Sequence, residues 1–482
     1  MTPVPDGPVA WTTASVASVT GGRLLGGPGD TPVVGFSIDS RSLVAGECFV
    51  ALRDNRDGHD FVVDAFRCGA AAAVVGRVPA DPALAPGAPL VLVPDPLTAL
   101  GELAAHARRA VDPTVVGITG SVGKTGTKDL TAAILGTDRR THASPASFNN
   151  ESGLPLAVLG APGDVDVLVL EMGARFPGNI AELAAIARPQ VGVVTNIGSA
   201  HAEHLGSPEE VAAVKGELLE ALEPGGFAVL NADDAATPRL RQRTGEEVIT
   251  AGRAGDADVR IRSVTVDDEL FPSLTLDSRW GEVTARLAVR GVHQVANAAL
   301  ASTVALRLGL TPEHVSTGLA AALPARLRME LRHSSSGAVV LDDSYNANPV
   351  SMRAALESFA ELPVSGRRIA VLGSMLELGE QSDPEHADVG GRLASHGVSE
   401  VIVVGEEAAP LAEAARREGT LHVIEARDPD HAYSLLAGRV TGADAVLVKG
   451  SRAVGLDALA ERLAPRGAEA DPAPRPGSGA VP

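Results

Sequence analysis

"TVVGITGSVGKTGTKDLTAAIL", residues 114–135, places a glycine-rich turn between an apolar run and a helix-forming run. The β-branched run TVVGI is typical of a buried parallel strand, and TKDLTAAIL predicts a helix. A strand, a turn and a helix in this order direct backbone N–H groups and the positive end of a helix towards an anion. The stretch therefore predicts a parallel α/β sheet with a phosphate-binding loop at the end of one strand.

The residue types within the turn match the chemistry of nucleotide phosphates. Gly120 and Gly123 allow the backbone to curl. Lys124 can reach the β- and γ-phosphates, and the Thr125 hydroxyl can bind Mg²⁺. The pattern differs from G-x-x-x-x-G-K-[ST] at one position, since Ile118 stands where the first glycine is expected. A strand–turn–helix corner with a surface lysine is the alternative, but the string favours ATP or GTP as the ligand.

The composition is that of a long acidic chain built from small and aliphatic residues. The chain has 482 residues, a net charge of −19 and 3% aromatic residues, which suits about two to four α/β domains. The acidic balance argues against a nucleic-acid partner. Cys48 and Cys68 make no disulfide framework, and we expect both to be small core residues in a reducing compartment. We find no signal peptide and no run of about 18 apolar residues, so we expect a cytoplasmic protein without membrane insertion.

Strand and helix patterns alternate along three blocks of the chain. Residues 1–110, with strands such as VVGFSI and GECFVAL, predict a smaller N-terminal α/β domain. Residues 111–326, with VDVLVLEMG, VGVVTNIG and GGFAVLNADD, predict a central domain with a doubly wound, mostly parallel sheet that carries the phosphate-binding loop (P-loop). Residues 327–466, with AVVLDD, RRIAVLG, EVIVVG and DAVLVKG, predict a Rossmann-like C-terminal α/β domain. Residues 467–482 are rich in Pro, Gly and Ala and predict a disordered tail.

Polar side chains follow the strands of the central block, where ligands bind in such sheets. Three of them stand at strand ends: Glu171, Asn196 and Asp233. His201 lies in the polar loop NIGSAHAEHLGS, and Lys215 and Glu217 lie on a helix that Pro208 opens. Each residue alone has an ordinary structural explanation. The loop, however, implies a bound metal–nucleotide, and carboxylate oxygens are natural ligands of Mg²⁺. These charged and polar residues, taken together, therefore become candidate site residues.

The third block contains the polar stretch LDDSYNANPVSMRAALESF, residues 341–359. Asn348 and Pro349 predict the capped start of a helix. The paired Asp342 and Asp343 at a strand end are not explained by that cap, and they suit the hydroxyls of a ribose or of a peptide substrate. Arg328 lies near the inferred domain border and is suited to reaching phosphate.

These strings, in this order, resemble the Mur ligases of peptidoglycan synthesis, and among them the MurF type. The resemblance runs from about residue 35 to about residue 463. SIDSRSLVAGECFVALRDNRDGHDF resembles the uridine-nucleotide domain of the family, while GITGSVGKTGTK, NNESGLPLAVL, LEMGARFPGNI and VKGE resemble its ATPase domain. DDSYNANPVSM and VLGSMLELGE are the most specific strings. Gly126, Gln294 and Ser374 stand where the family usually has Thr, Asn and Asp.

The resemblance implies an ATP-dependent, Mg²⁺-dependent ligase that joins D-Ala-D-Ala to UDP-MurNAc-tripeptide through an acyl phosphate. We expect the protein to be monomeric. It implies catalytic roles for Lys124, Glu171, His201 and Lys215. The implied ATP contacts are Gly120, Ser121, Val122, Gly123, Lys124, Thr125, Gly126, His293, Asn297, Arg328 and Asp343. The implied metal ligands are Thr125 and Glu171 for one ion, and His201 and a modified Lys215 for a second. The implied uridine-nucleotide contacts are Asp39, Ser40 and Arg41.

Two alternatives stay open at the level of the sequence. One is another Mur or folylpolyglutamate-type ligase that adds a single amino acid, since its phosphate-binding loop would be identical. Competing amine acceptors would decide between them. The other is a non-catalytic nucleotide-binding protein on the same fold, which an ATP-turnover assay would separate. The joint presence of Lys124, Glu171, His201 and Lys215 argues against the second alternative.

Overall fold

Four β-sheets with flanking helices form the part of the chain that the structure, a computed structural model, describes: residues 9–81, 83–198, 206–419 and 421–466. Short 3₁₀ turns lie at Gly58–Phe61, Arg241–Arg243, Gly379–Gln381, Ala394–His396, Glu406–Ala408 and Arg452–Val454. No helix among these residues is long and apolar enough to cross a membrane.

The N-terminal sheet has five strands in the order β2-β7-β6-β5-β4. The N-terminal elements are β1 (Trp11–Thr12), α1 (Thr13–Val19), β2 (Arg23–Leu25), β3 (Pro32–Val33), β4 (Phe36–Ser37), β5 (Cys48–Val50), α2 (Val62–Arg67), β6 (Ala72–Val75), β7 (Leu90–Leu92) and α3 (Pro96–Val111). Strands β4 to β7 pair in parallel and β2 pairs antiparallel at one edge, while β1 and β3 form a separate two-stranded sheet. The first block is therefore α/β, as its strand pattern predicts.

The central sheet has nine strands in the order β16-β15-β14-β13-β12-β11-β8-β10-β9. Its elements are β8 (Thr114–Thr119), α4 (Lys124–Leu135), β9 (Thr141–Ala143), α5 (Gly153–Leu159), β10 (Val167–Glu171), α6 (Asn179–Ala187), β11 (Val191–Val194), α7 (Pro208–Glu220), β12 (Phe227–Asn231), α8 (Thr237–Leu240), β13 (Glu247–Gly252), β14 (Val259–Val266), β15 (Pro272–Ser278), β16 (Val283–Arg286), α9 (Gln294–Arg307) and α10 (Pro312–Ala321). Each of the strands β8 to β14 pairs in parallel with its neighbours among these strands, which confirms the predicted parallel character. The antiparallel extension by β15 and β16 was not predicted, because half-buried or exposed polar residues alternate along these strands and leave no long apolar run.

The C-terminal sheet has six strands in the order β17-β18-β22-β19-β20-β21. Its elements are β17 (Glu330–His333), β18 (Val339–Asp342), α11 (Pro349–Glu361), β19 (Arg368–Gly373), α12 (Ser382–Arg392), β20 (Glu400–Val404), α13 (Ala409–Arg417), β21 (His422–Ala426), α14 (Pro429–Leu436), β22 (Ala445–Lys449) and α15 (Leu456–Leu463). All neighbours pair in parallel except β17 with β18. Helix α11 begins at Pro349, and the Asn348 side chain accepts a hydrogen bond from the backbone N–H of Ser351, which confirms the predicted cap.

The hydrophobic cores show which sheets are joined. One core contains N-terminal residues such as Val16 and Val91 together with central residues such as Leu154 and Met172. Helix α3 carries this continuity, since it packs against α5 and α6 of the central sheet. The C-terminal sheet has its own core, to which Leu270 from the turn between β14 and β15 contributes. The C-terminal block meets the central block through side-chain contacts, since Tyr345 bonds to Ser147 and Arg328 donates to Thr125.

Candidate functional site

The loop after β8 has the backbone geometry that a phosphate requires. Gly120 has φ +145°, and a Cβ there would lie 2.0 Å from the Thr195 hydroxyl oxygen, so only glycine fits. Gly123 has φ +84° and directly precedes α4. Helix α4 consequently begins at Lys124, three residues before the predicted start at Thr127. The first turn of a helix thus stands at the end of the loop, with its free N–H groups and positive end available to an anion.

The two residues that directly follow strand β11, Thr195 and Asn196, hold the loop in shape. The Ser121 N–H donates to the Asn196 carbonyl at 3.0 Å, and the Val122 N–H donates to the Asn196 side-chain oxygen at 3.0 Å. The Thr195 hydroxyl donates to the Val122 carbonyl at 2.5 Å. Asn196, which was expected at a ligand-facing strand end, therefore shapes the loop through these contacts.

Lys124 spans the loop that it follows. Its ammonium donates to the carbonyls of Gly120 at 2.8 Å and Ser121 at 3.2 Å. Burial lowers the pKa of Lys124, the nearby Glu171 carboxylate opposes that shift, and the Arg328 cation adds to it. A half-buried cation held by carbonyl oxygens is suited to exchange those contacts for phosphate oxygens.

Thr125 and Glu171 meet at the start of α4. The Thr125 hydroxyl donates to one carboxylate oxygen of Glu171 at 2.8 Å, and Asn149 donates its side-chain N–H to the other at 2.7 Å. Glu171 is 1% exposed, so these partners compensate its removal from water. No group of three or more His, Cys, Asp or Glu side chains within the described ranges could hold a metal alone. A hydroxyl beside a carboxylate nevertheless fits Mg²⁺, which usually completes its shell with phosphate oxygens and water.

Arg328 reaches the loop from the start of the C-terminal block. Its flanking residues Leu327 and Met329 have φ +60° and +50°, a conformation that is uncommon for residues with side chains. The Tyr345 N–H donates to the Leu327 carbonyl at 3.1 Å, which helps to fix this segment. The guanidinium lies 4.3 Å from the centre of the Tyr345 ring and donates to the Thr125 hydroxyl at 3.5 Å. The Tyr345 hydroxyl also forms a short hydrogen bond with Ser147 of the central block.

Asp343 and Asp342 are neighbours in sequence but have different roles in the structure. Asp343 accepts a hydrogen bond from the Met329 N–H at 3.2 Å, and its other oxygen lies 2.5 Å from the ammonium of Lys449. Asp342 is fully buried, pairs with Arg332 and accepts from the Ser344 hydroxyl at 2.5 Å. Our expectation that both aspartates suit a substrate is therefore corrected: Asp342 is committed to an internal ion pair.

His293 and Asn297 lie at the start of α9, which packs against α4. The Asn297 amide faces the loop, since a Cβ at Gly123 would lie 2.5 Å from its side-chain oxygen. Gln294 bridges the two residues, accepting from Asn297 at 2.8 Å and lying 3.2 Å from His293 Nε2. Burial lowers the pKa of His293, so a neutral ring is favoured. The structure thus places Asn297 beside the loop, and Gln294 links it to His293.

Lys215 is 1% exposed within α7. Burial lowers its pKa to about 7, the Lys124 cation adds to that shift, and Glu217 opposes it. The Glu217 carboxylate accepts hydrogen bonds from the backbone of Gly178 at 2.7 Å and Ala181 at 3.0 Å. Glu217 therefore holds the N-terminus of α6, which corrects its place among the candidate ligands. His201 lies outside the described residues.

Other expected residues are not brought to the loop. Asp39 accepts from the Arg41 backbone at 2.9 Å and from the Arg41 guanidinium, which is the largest cause of the lowered pKa of Asp39. No hydrogen bond or ion pair among the described residues joins the Asp39–Ser40–Arg41 turn to the phosphate-binding loop. Asp233 accepts from the backbone of Arg253 at 2.9 Å and Ala254 at 2.8 Å, so it fixes the end of β13 and not the site.

The cysteines also differ from one another. Cys48 is fully buried, as expected, whereas Cys68 is exposed at the end of α2. The expectation of two core thiols is therefore wrong for Cys68.

Sequence reasoning missed three polar residues that shape the site. Lys449 ends the buried strand β22. A charged residue at the end of an apolar run, like Glu171 at the end of β10, indicates a buried partner. Asn149 lies in the recognised string NNESG, but its bond to Glu171 depends on the folded chain. Lys128 is buried and donates to the carbonyls of Ser144 at 2.7 Å and Ala146 at 2.9 Å, which holds the segment that carries Asn149.

Comparison with known families and structures finds relatives over most of the chain. The model of the Mur ligase middle domain matches residues 118–305, and that of the Mur ligase glutamate ligase domain matches residues 327–452. The chain is 39% identical to the UDP-N-acetylmuramoyl-tripeptide–D-alanyl-D-alanine ligase of Mycobacterium tuberculosis (strain ATCC 25618 / H37Rv), over 94% of this chain and 97% of the relative. It superposes on MurF from Acinetobacter baumannii with a TM-score of 0.85 at 28% identity, covering 94% and 99% of the two chains. The MurF ligase from Thermotoga maritima in complex with ADP matches with a TM-score of 0.75 at 31% identity, covering 89% and 96%.

Proposed function

Since this chain belongs to the Mur ligase family, we propose that it joins D-alanyl-D-alanine to UDP-N-acetylmuramoyl-tripeptide with the hydrolysis of ATP to ADP and phosphate. The reaction extends a precursor of peptidoglycan. The observation that carries the proposal is the meeting of two parts of the chain at one loop. Lys124, Thr125 and Glu171 come from the central block, and Arg328 reaches Thr125 from the start of the C-terminal block.

The chemistry follows from the weakness of a carboxylate as an acyl donor. Transfer of the γ-phosphoryl group to the C-terminal carboxylate of the tripeptide gives an acyl phosphate with a good leaving group. The amine of D-alanyl-D-alanine then attacks the acyl carbon, and phosphate leaves from the tetrahedral intermediate. Lys124 and Arg328 neutralise charge on the phosphoryl group, so that catalysis consists largely of positioning and charge stabilisation.

Nucleotide contacts are assigned to residues around the loop. The backbone of residues 120–126 surrounds the phosphates, Asn297 and His293 contact adenine, and Asp343 accepts a hydrogen bond from the ribose. The chain divides at about residues 110 and 326, so the nucleotide lies between the second and third domains. Closure of these domains precedes chemistry, because Arg328 and Asp343 lie on the far side of the border from Lys124.

Thr125 and Glu171 hold Mg²⁺, which screens the negative charge of the phosphates. A second ion is assigned to His201 and Lys215. A protonated lysine would repel a metal ion, but a buried amine with a pKa near 7 is partly neutral and can take up CO₂. The resulting carbamate replaces a cation by an anionic oxygen ligand. The Glu217 carboxylate accepts hydrogen bonds from the backbone of α6. Because Glu217 is engaged there and is not a candidate metal ligand, a carbamate on Lys215 would supply the anionic oxygen.

The uridine-nucleotide site is assigned to the Asp39–Ser40–Arg41 turn, where the Arg41 side chain pairs with Asp39 and is 68% exposed, so that a diphosphate could reach its guanidinium. The protein is assigned to the cytoplasm, where nucleotide-linked precursors are made, and is expected to act as a monomer. A ligase that adds a single amino acid is the less favoured alternative, because the strings DDSYNANPVSM and VLGSMLELGE in the third block are typical of the MurF type.

Release of ADP tests the proposal. Purified protein is given ATP and Mg²⁺ with UDP-MurNAc-tripeptide alone, with D-Ala-D-Ala alone, and with both. We expect sustained ADP release only with both substrates, because net turnover requires an amine to capture the acyl phosphate. Equal release with neither substrate would contradict the ligase assignment. Single amino acids offered in place of the dipeptide test the alternative, which faster turnover with any of them would favour.

A further inference from the structure

Three side chains at the start of α9 form a hydrogen-bonded row beside the phosphate-binding loop. Asn297 donates its amide N–H to the Gln294 side-chain oxygen at 2.8 Å. The Gln294 amide nitrogen lies 3.2 Å from His293 Nε2 and donates to it when that nitrogen is unprotonated. The Asn297 side-chain oxygen accepts no hydrogen bond from any described residue, and it faces the loop at Gly123. Gln294 therefore decides which end of the Asn297 amide is left for a ligand.

Gly126, in the first turn of α4, borders this row. A Cβ at this position would lie 2.8 Å from the Gln294 side-chain oxygen and 3.0 Å from the Asn297 amide nitrogen. Gly126 is not among the glycines with positive φ, so the backbone conformation does not require glycine. A glycine inside a helix costs about 0.5–1 kcal/mol relative to alanine. The absence of a side chain here is thus explained by the space that Gln294 occupies.

We propose that Gly126 and Gln294 form a complementary pair that orients the Asn297 amide towards the adenine base. The proposal rests on the assignment of Asn297 to adenine made above. With its N–H group engaged by Gln294, Asn297 presents an oxygen that accepts from the amino group of adenine. Guanine carries a carbonyl oxygen at the same ring position and would be repelled. Gln294 is therefore a positioning residue, and it favours ATP over GTP through Asn297.

The geometry predicts that the two positions compensate for one another. Alanine at position 126 displaces the end of the flexible Gln294 side chain, which leaves the fold intact but removes the hydrogen bond to Asn297. Gln294→Asn shortens the side chain by one methylene, so its oxygen no longer accepts the hydrogen bond from the Asn297 amide at the same position. In the double variant the new methyl group fills the space that the shorter side chain leaves, and the two changes offset each other.

A double-mutant cycle with a nucleotide readout tests the pair. Wild type, Gly126→Ala, Gln294→Asn and the double variant are compared by KM for ATP and for GTP, with both other substrates saturating. We expect each single change to raise KM for ATP about 3- to 10-fold, the effect of one lost hydrogen bond, with kcat and KM for UDP-MurNAc-tripeptide unchanged. We expect the double variant to be within about twofold of wild type and to regain its preference for ATP. Gly391→Ala is the matched control, since a Cβ at this helical glycine meets no atom within 4 Å.

Two further variants separate the possible failures. In a Gln294→Ala background no amide remains to be displaced, so adding Gly126→Ala should change KM for ATP by less than about twofold. Asn297→Ala should raise KM for ATP at least as much as Gln294→Asn does. If Asn297→Ala leaves KM for ATP unchanged, the adenine assignment is wrong and the pair has no role in recognition. If Asn297→Ala raises KM for ATP, the adenine assignment stands. The pairing is then refuted if KM for ATP in the Gly126→Ala/Gln294→Asn variant rises by the product of the two single effects.

Discussion

The ion pair between Lys449 and Asp343 supports a prediction in which stability and nucleotide binding separate. The Lys449 ammonium lies 2.5 Å from one Asp343 oxygen and 3.0 Å from the Asn346 carbonyl. The side chains are 2% and 13% exposed. Lys449→Met leaves the carboxylate with the single backbone N–H of Met329, and Asp343→Asn leaves the ammonium without a counter-charge.

The burial of the pair sets the size of the expected effect. Removing one partner of a buried pair destabilises a protein by about 3–5 kcal/mol, whereas replacing both is often close to neutral. Because Asp343 keeps some contact with water, we expect about 3 kcal/mol for Lys449→Met and about 3 kcal/mol for Asp343→Asn. For a domain of this size that corresponds to a fall in Tm of about 10 °C. The double variant Asp343→Asn/Lys449→Met should lose about 1 kcal/mol or less, since no charge remains unpaired.

The effects of these variants on KM for ATP should not parallel their effects on stability. Asn at this position keeps an acceptor oxygen for the ribose hydroxyl but loses the charge. A hydrogen bond to a charged group contributes about 1.5–3 kcal/mol and a neutral one about 0.5–1.5 kcal/mol, so Asp343→Asn should raise KM for ATP by about five- to tenfold. The double variant should show the same KM for ATP as Asp343→Asn, although its stability is restored. KM for UDP-MurNAc-tripeptide should change little in either.

Urea unfolding and steady-state kinetics on the same four proteins provide both measurements. A double variant as unstable as the sum of the single changes would refute the coupling between Lys449 and Asp343. A larger effect of Asp343→Asn on the uridine nucleotide than on ATP would place this residue in the other substrate's site.

Three further predictions concern single side chains. Lys124→Ala should abolish turnover with an unchanged melting temperature, because the ammonium contacts loop carbonyls and serves phosphate charge; activity equal to wild type would remove the loop from the reaction. Lys215→Ala should be nearly inactive and partly rescued by acetate, which supplies the missing carboxylate; rescue by amines and not by acids would contradict the carbamate. Burial raises the pKa of the Cys48 thiol to about 12, so a disulfide reagent at pH 8 should titrate Cys68 alone in the folded protein and both thiols in urea. Reaction of both thiols at equal rates in the folded protein would show that Cys48 is accessible. The Cys48 thiol ionises at lower pH in the unfolded chain than in the folded protein. The free energy of unfolding should therefore hold below about pH 9 and fall as the pH rises towards 12.

The sequence alone determined the features that depend on neighbouring residues. The glycines at positions 120 and 123, with Lys124 and Thr125 after them, predict a phosphate-binding loop because glycine allows the positive φ angles that the loop adopts. The apolar run before Glu171 predicted a buried strand with a costly carboxylate at its end, and the structure gives that carboxylate two donors. The helix that begins after Asn348 was likewise predictable, since a capping side chain and a proline act within one turn.

Tertiary structure decided which polar residues remain available for a ligand, because their partners come from distant parts of the chain. Asp342 and Asp343 are adjacent, yet successive side chains at a strand point to opposite faces. One aspartate therefore meets Arg332 and the other meets Lys449, more than a hundred residues further along. Glu217 contacts the start of α6, and Arg328 reaches Thr125. A sequence pattern gives the type and spacing of charged groups. The partner of each buried charge depends on packing between elements, because any polar or oppositely charged group that the fold places beside the charge can compensate the cost of burying it.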